Sequence, residues 1–260
     1  MRVAALALAF AMSASAAQAG AWTLAQGHWQ VFTSSTQSSA SMLFDDAGRA
    51  AIPTVFKKQL FQNTFEYGLT NALTLFATPA YVMAKVETPA VPLTRANNAS
   101  FEAGARLALL AHHGRLSLQA SYKTAGGFDL SVSAGRASGR QMELRLLYGG
   151  NFRLFHRDGF FDLQIAQRWI DQPRPNETPV DITAGLWVTK DTMVMAQSFN
   201  IVSAGNAMAP YTYYRSHKLE FSIVNRLSRH WSIQAGLFFS PAGQNALDEK
   251  GISVSLWTQD

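Results

Sequence analysis

Along most of the chain, apolar and polar residues alternate with a period of two. Phe101, Ala103, Ala105, Leu107 and Leu109 interleave with Glu102, Gly104, Arg106, Ala108 and Leu110, and Leu116, Leu118, Ala120 and Tyr122 with Ser117, Gln119, Ser121 and Lys123. The same alternation carries Met142 to Tyr148, Phe161 to Ile165, Leu219 to Ile223 and Trp231 to Phe239. A helix would set Gln141 and Arg145 on one stripe with Leu144 and Tyr148, so the period is that of a strand. One face is almost uniformly apolar; the other mixes charges with Gln, Ser and Gly.

The pattern predicts twelve strands, at about 27–37, 55–67, 72–84, 100–111, 115–124, 139–150, 159–170, 181–189, 193–201, 212–227, 231–240 and 250–258. Most run longer than the five or six residues usual in globular sheets and suit strands that cross a bilayer at a tilt. Periodicity alone does not separate a soluble sandwich from a membrane barrel, but the connections do. Gly68 to Asn71, His112 to Gly114, Lys190-Asp191 and Leu227 to His230 are short, whereas Ala40 to Thr54, Val86 to Ala99, Ala125 to Ser138, Asp171 to Pro179 and Ser203 to Pro210 are long and polar. Phe152 to Asp158 fills a short-turn slot with a longer segment. Short turns on one side and long loops on the other are the plan of an outer-membrane barrel, with both termini on the short-turn, periplasmic side. The expected fold is therefore all-β: a single closed antiparallel transmembrane β-barrel of about twelve strands.

The start of the chain agrees with that destination. Met1-Arg2 is basic, Val3 to Met12 is apolar, and Ala17-Gln18-Ala19 has the small-x-small form of a cleavage site. Residues 1–19 are expected to be a cleaved signal peptide and 20–260 the barrel, one domain without linker or internal repeat. Mean hydropathy is −0.02 and charged residues are 15% of the chain, against roughly a quarter in soluble domains, which disfavours both disorder and a helical membrane protein. Zero cysteines excludes disulfides and thiolate metal sites.

Phe65-Glu66-Tyr67-Gly68-Leu69-Thr70-Asn71-Ala72-Leu73-Thr74-Leu75 looks like a turn common in bacterial outer-membrane barrels, where Tyr-Gly-Leu-Thr-Asp leads into an apolar strand. Ser100 to Arg106 and Phe160 to Gln164 have the same character. Through them the chain resembles uncharacterised putative porin or transporter barrels, including the group labelled as a MetA-pathway phenol-degradation family. The resemblance implies location in the outer membrane, with its lipid and the barrel-assembly machinery as partners. It also implies passive passage of a small polar or amphipathic solute of unknown identity, and it offers no catalytic residue. The chain departs from such barrels in ending Leu256-Trp257-Thr258-Gln259-Asp260 rather than on an aromatic residue.

The candidate site is the inward, polar face. Lys58, Glu66, Glu102, Arg106, Lys123, Glu143, Arg145, Asp162, Arg168, Lys218, Glu220 and Arg226 all fall on it. Arg or Lys facing the lipid midplane costs about 2–4 kcal/mol, so these residues point into the lumen or lie at its rim. They either line an open channel, where a slight basic excess hints at anion preference, or close the lumen by mutual ion pairs. The rival reading is accordingly a structural or surface-interaction barrel with a plugged lumen.

Other chemistry is thin. No Gly-x-Ser-x-Gly elbow or His-x-x-x-His pair accompanies His28, His112, His113, His156, His217 and His230, so no enzyme is expected, and a lipid-modifying barrel enzyme stands only as a third reading behind the channel and the structural barrel. Asp45-Asp46-Ala47-Gly48 lacks the further acidic ligands of a calcium loop, and neither metal nor cofactor is expected. The net charge of +5 is not clustered beyond Lys57-Lys58, which sets nucleic acid aside. Trp22, Trp29, Trp169, Trp187, Trp231 and Trp257, with Tyr67, Tyr81, Tyr122 and Tyr148, lie toward strand ends and are expected in two interfacial girdles.

Overall fold

The computed structural model describes residues 20–88, 91–110, 114–124, 139–203, 206–208 and 212–260; the expected signal peptide, 1–19, and His112 and His113 lie outside them. Thirteen strands follow one another: β1 (Trp29–Phe44), β2 (Ala50–Thr70), β3 (Leu73–Thr88), β4 (Val91–Leu110), β5 (Arg115–Lys123), β6 (Gln141–Leu154), β7 (Arg157–Ile170), β8 (Glu177–Trp187), β9 (Thr192–Ser203), β10 (Arg215–Arg226), β11 (Trp231–Gln244), the two-residue β12 (Ala246–Leu247) and β13 (Lys250–Gln259). The twelve long strands correspond one to one with those read from the sequence. Each pairs antiparallel with its neighbours, and β1 pairs with both β2 and β13, so the sheet closes into a barrel without a free edge. Among the described residues there is no helix.

Burial is inverted relative to a soluble protein. Leu107, Leu146, Leu163, Phe221, Ile233 and Leu256 are exposed on the outside, while Arg106, Glu66, Asp162 and Gln234 are buried within. Seven of the expected girdle aromatics face outward in two groups. Trp29, Tyr67, Tyr148 and Trp231 stand near the short-turn end, and Tyr81, Tyr122 and Trp169 near the other. Trp22, Trp187 and Trp257 correct that expectation: they turn inward onto a cluster of Phe160, Met193, Met195 and Val224. A second inner cluster, of Ala40, Phe56, Val86 and Leu247, lies toward the opposite end.

Three short turns use one device. The hydroxyls of Thr70, Thr189 and Ser228 each accept hydrogen bonds from the backbone N–H groups two and three residues on, which fixes the reversal without a left-handed residue. The segment 152–158, by contrast, continues the β6–β7 ladder to a two-residue turn at Phe155-His156, both at positive φ.

Two of the expected long loops are largely strand. Ala40 to Thr54 pairs on itself up to a turn at Asp45, and Val86 to Ala99 extends β3 and β4, so β2 and β4 reach 21 and 20 residues. Small and polar residues there read as loop, but backbone pairing in a hairpin does not require apolar side chains. Asp45 accepts hydrogen bonds from the Ala47 and Arg49 amides and pairs with the Arg49 guanidinium. Those backbone donors hold its carboxyl below the usual range, and its oxygens are used within the turn rather than offered to a cation.

Candidate functional site

The lumen is occupied first of all by the chain itself. Residues 20–28, which carry no alternation, cross its short-turn end before β1 begins. The Ala21 amide donates to Asp162 Oδ2 at 2.7 Å, and Ser117 Oγ donates to the Ala21 carbonyl at 2.5 Å. Arg106 Nη1 reaches the Trp22 carbonyl at 3.0 Å, and the Leu24 amide donates to Thr74 Oγ1 at 2.8 Å. Two glycines make the room. A Cβ on Gly149 would stand 2.5 Å from the Trp22 ring, and one on Gly68 would stand 2.1 Å from the Ala25 carbonyl oxygen. Trp22 then packs edge-on against Phe160, with centroids 6.1 Å apart.

From this plug a chain of ion pairs climbs one wall. Glu66 binds Arg106 Nη2 at 2.9 Å and accepts from Gln30 at 2.6 Å. Arg145 bridges Glu143 and Asp181, each at 2.6 Å. Arg168 bridges Glu143 at 2.7 Å and Glu177 at 2.5 Å, and Glu177 also holds Arg174 at 3.1 Å and the Tyr214 hydroxyl. Burial, reinforced by the Glu177 carboxylate, pushes the Tyr214 phenol up, so it remains a donor. Charged groups at such spacing in a low-dielectric lumen fix one another firmly, because removing either partner strands the other.

The remaining sequence-predicted residues are dispersed. Lys58 and Lys218 converge on Glu249 near the far end, with the Lys58 contact at 2.8 Å. Glu220 accepts from Ser253 at 2.6 Å. Glu102 and Lys123 are cross-strand partners at the far rim without a close ion pair among the described residues, and Arg226 lies at the near rim with its guanidinium 4.6 Å from the Trp187 ring centroid. The inward arginines of this wall, Arg106, Arg145 and Arg168, are each matched by carboxylate, so its inner face presents no surplus positive charge and the hint of anion preference loses its basis there.

Sequence reasoning missed Asp181, Glu177, Arg174 and Glu249. The sequence pattern reads the segment up to Pro179 as loop and starts the strand at Asp181, yet β8 already begins at Glu177, with Glu177 and Pro179 buried. Glu249 sits in a turn, where alternation assigns no face. Asp260, the unexpected non-aromatic end, accepts a hydrogen bond from the Trp29 amide at 3.1 Å and meets His28 Nδ1 at 3.3 Å, tying β13 to the start of β1.

Between the plug and the far-end cluster lies a void of about 180 Å³ without a charged lining residue. Gln62, Gln197 and Gln234 present amides to it, Ser34, Thr64, Thr183 and Ser255 hydroxyls, and Phe32, Phe160 and Trp257 aromatic rings.

A closed barrel of twelve long strands, apolar outside and polar within, defines an outer-membrane β-barrel. Solved structures agree at the level of fold. The COG4313 outer membrane channel from Pseudomonas putida F1 superposes with a TM-score of 0.70 at 11% identity, covering 94% of this chain and 100% of that one. The translocator domain of autotransporter NalP from Neisseria meningitidis gives 0.59 at 11% identity, over 90% and 89% of the two chains. The NanC porin gives 0.52 at 8% identity, over 88% and 98%. No family model matches the chain, and no curated protein sequence does; the MetA-pathway resemblance thus gains no support beyond the shared fold.

Proposed function

We propose that this protein is an outer-membrane channel whose periplasmic end is closed by its own N-terminal segment, and that it passes a small, uncharged, amphipathic solute without catalysis. The observation that carries the reading is the uncharged mid-lumen void. Three carboxamides and four hydroxyls facing three aromatic rings match a solute with one polar and one apolar side. The channel and porin folds above are consistent with it. Outer-membrane lipid and the barrel-assembly machinery are the partners this reading entails.

Export by cleavage before Gly20 would complete the plug. Gly20 lies so close to Asp162 that a Cβ there would stand 2.3 Å from Oδ2, and its nitrogen is one bond from the same Cα. Cleavage would turn that nitrogen into an ammonium beside a buried carboxylate that has no cationic side chain within ion-pair distance among the described residues.

The plug and the ion-pair wall equally favour a second reading, a closed structural barrel that works through its surface loops. Planar-bilayer conductance of the purified barrel separates the two. Small or intermittent steps are expected from the whole protein, and larger, persistent ones after deletion of residues 20–26. Absence of steps from both folded proteins would leave the structural reading.

A further inference from the structure

The outer wall carries, toward the end opposite the plug, a feature the lumen does not explain. Lys250, Ser39, Lys57, Lys85 and Arg95 form one continuous row of cross-strand partners over β13, β1, β2, β3 and β4. Their strand parity is outward: Phe56, Lys58, Ala84 and Val86 turn in, so Lys57 and Lys85 turn out. Lys57, Lys85 and Arg95 are directly opposite one another, an arrangement that is destabilising for like charges. None of the four cations makes an ion pair among the described residues. At the same end of the far wall the comparable exposed cation, Arg140, is paired with Asp171 at 3.1 Å, so unpaired charge is not the rule there.

The row also borders a groove. A concavity of about 830 Å³ is lined by the four cations, by the polar side chains of Gln37, Gln59 and Asn97, and by Met83, Leu237 and Ile252. Leu237 is 66% exposed, and Phe61, Tyr81 and Phe101 continue the apolar surface toward the membrane centre. Lys85 lies four residues beyond the girdle residue Tyr81, about 13 Å along the strand and about 10 Å along the barrel axis after tilt. That is headgroup depth. Glu87, one outward position further along β3, is the acidic residue nearest in that column.

We propose that this row and groove bind the phosphorylated headgroup of a glycolipid in the outer leaflet. The inference rests on the outer-membrane reading above. Phosphate oxygens accept from several Lys and Arg donors at once, and the lysines supply point charges while Arg95 offers a fork. An acyl chain of the same molecule would run from the cations over Leu237 and Ile252, which is why a membrane-bound phosphate fits better than a soluble one. Occupation relieves the like-charge row, so the ligand stabilises the barrel wall where β1 meets β2 and β13.

The test is native mass spectrometry and thermal unfolding of the detergent-solubilised full barrel with bisphosphorylated lipid A, the same lipid after phosphatase treatment, and inorganic phosphate. Expected are retained adducts and a higher unfolding temperature with the phosphorylated lipid alone. Affinity should fall about fivefold for each cation removed, and further in a Lys57→Ser/Lys85→Ser/Arg95→Gln variant. Equal binding of the dephosphorylated lipid, or equal protection by inorganic phosphate, overturns the assignment without need of any variant. Undiminished binding by Arg95→Gln and by the triple variant, both retaining the folded barrel's electrophoretic mobility, overturns it too. Failure of the parent reading shows separately, as absence of the protein from the outer-membrane fraction of cells.

Discussion

The inner face of β4 to β8 is held by full charges, with Arg106 locked by Glu66 and Gln119, Arg145 by Glu143, Asp181 and Gln164, and Arg168 by Glu143 and Glu177. Across the lumen, β9 to β11 and β13 present, from the plug to mid-depth, mainly neutral groups, Met193, Met195, Ser222, Gln234, Gly236, Ser253 and Ser255, joined by contacts such as Gln234 to Ser222 at 2.9 Å. Glu220 lies among them, and Lys218 is paired to Glu249 nearer the far end. Both walls close the same barrel with the same backbone ladder. The difference is in what a displaced side chain leaves behind. On the charged wall it leaves an uncompensated ion; on the neutral wall it leaves a hydroxyl or thioether that a water or a rotamer replaces. The lumen therefore has one fixed wall and one that yields, and the uncharged void takes Met195, Gln197, Gln234, Ser255 and Trp257 from the second and the rest of its lining from β1, β2, β7 and β8.

The largest effect should come from breaking the fixed wall. Arg168→Met removes the cation that Glu143 and Glu177 share, leaving Glu143 with Arg145 and Glu177 with Arg174 alone, and is expected to lower unfolding stability by about 3 kcal/mol, the low end for a broken buried pair. Met195→Leu on the opposite wall conserves volume and should cost less than about 1.5 kcal/mol. Urea unfolding followed by loss of the folded barrel's electrophoretic mobility measures both. Equal costs would erase the distinction between the walls.

Next is the plug, which joins the two walls through Asp162 and Arg106 on one side and Trp22 on the other. Gly149→Leu drives a side chain into the space of Trp22 and should expel the segment. The expected readouts are rapid proteolytic trimming at residues 20–28 and a conductance rise like that of the deletion. A protected segment would show that Gly149 is not what admits it.

How much of this contrast was legible in the sequence follows from what alternation encodes. Each strand and its outward face were legible, because lipid demands apolar residues at every second position. The charged set was legible as inward, but not who pairs with whom, since Arg145 meets Asp181 two strands away through barrel curvature. The plug left no trace, because residues 20–28 lie in no sheet and are selected by two distant glycines. Likewise Glu177 hid behind Pro179, whose missing N–H reads as a strand breaker.

A smaller effect should follow acidification at the far end. Burial pushes Glu249 up, but Lys58 and Lys218 outweigh it and hold its carboxyl at about 2. Its folded value lies below the ordinary 4.5. The stability it contributes is therefore fully present above the ordinary value and is lost as pH falls through that window toward about 2. Urea midpoints taken from pH 6 down to pH 2.5 should fall more for the natural protein than for Glu249→Gln. Parallel curves would mean the two lysines do not hold it.

The smallest effect is expected at Glu220, the carboxylate that the neutral wall carries at mid-depth. Its hydrogen bond comes from Ser253, and no cation lies within ion-pair distance among the described residues. Glu220→Gln keeps an oxygen that accepts from Ser253 at the same spacing, so the bond survives the loss of charge. Stability should shift by no more than about 1 kcal/mol, in contrast to Arg168→Met, because no ion loses a partner. The charge itself, however, faces the side of the lumen that yields, and a fixed carboxylate there raises the local concentration of cations. Removing it should lower the cation-to-anion permeability ratio of the plug-deleted channel while leaving its thermal unfolding almost unchanged. A large loss of stability would place Glu220 with the charged wall, and an unchanged ratio would place the ion path along β4 to β8 instead.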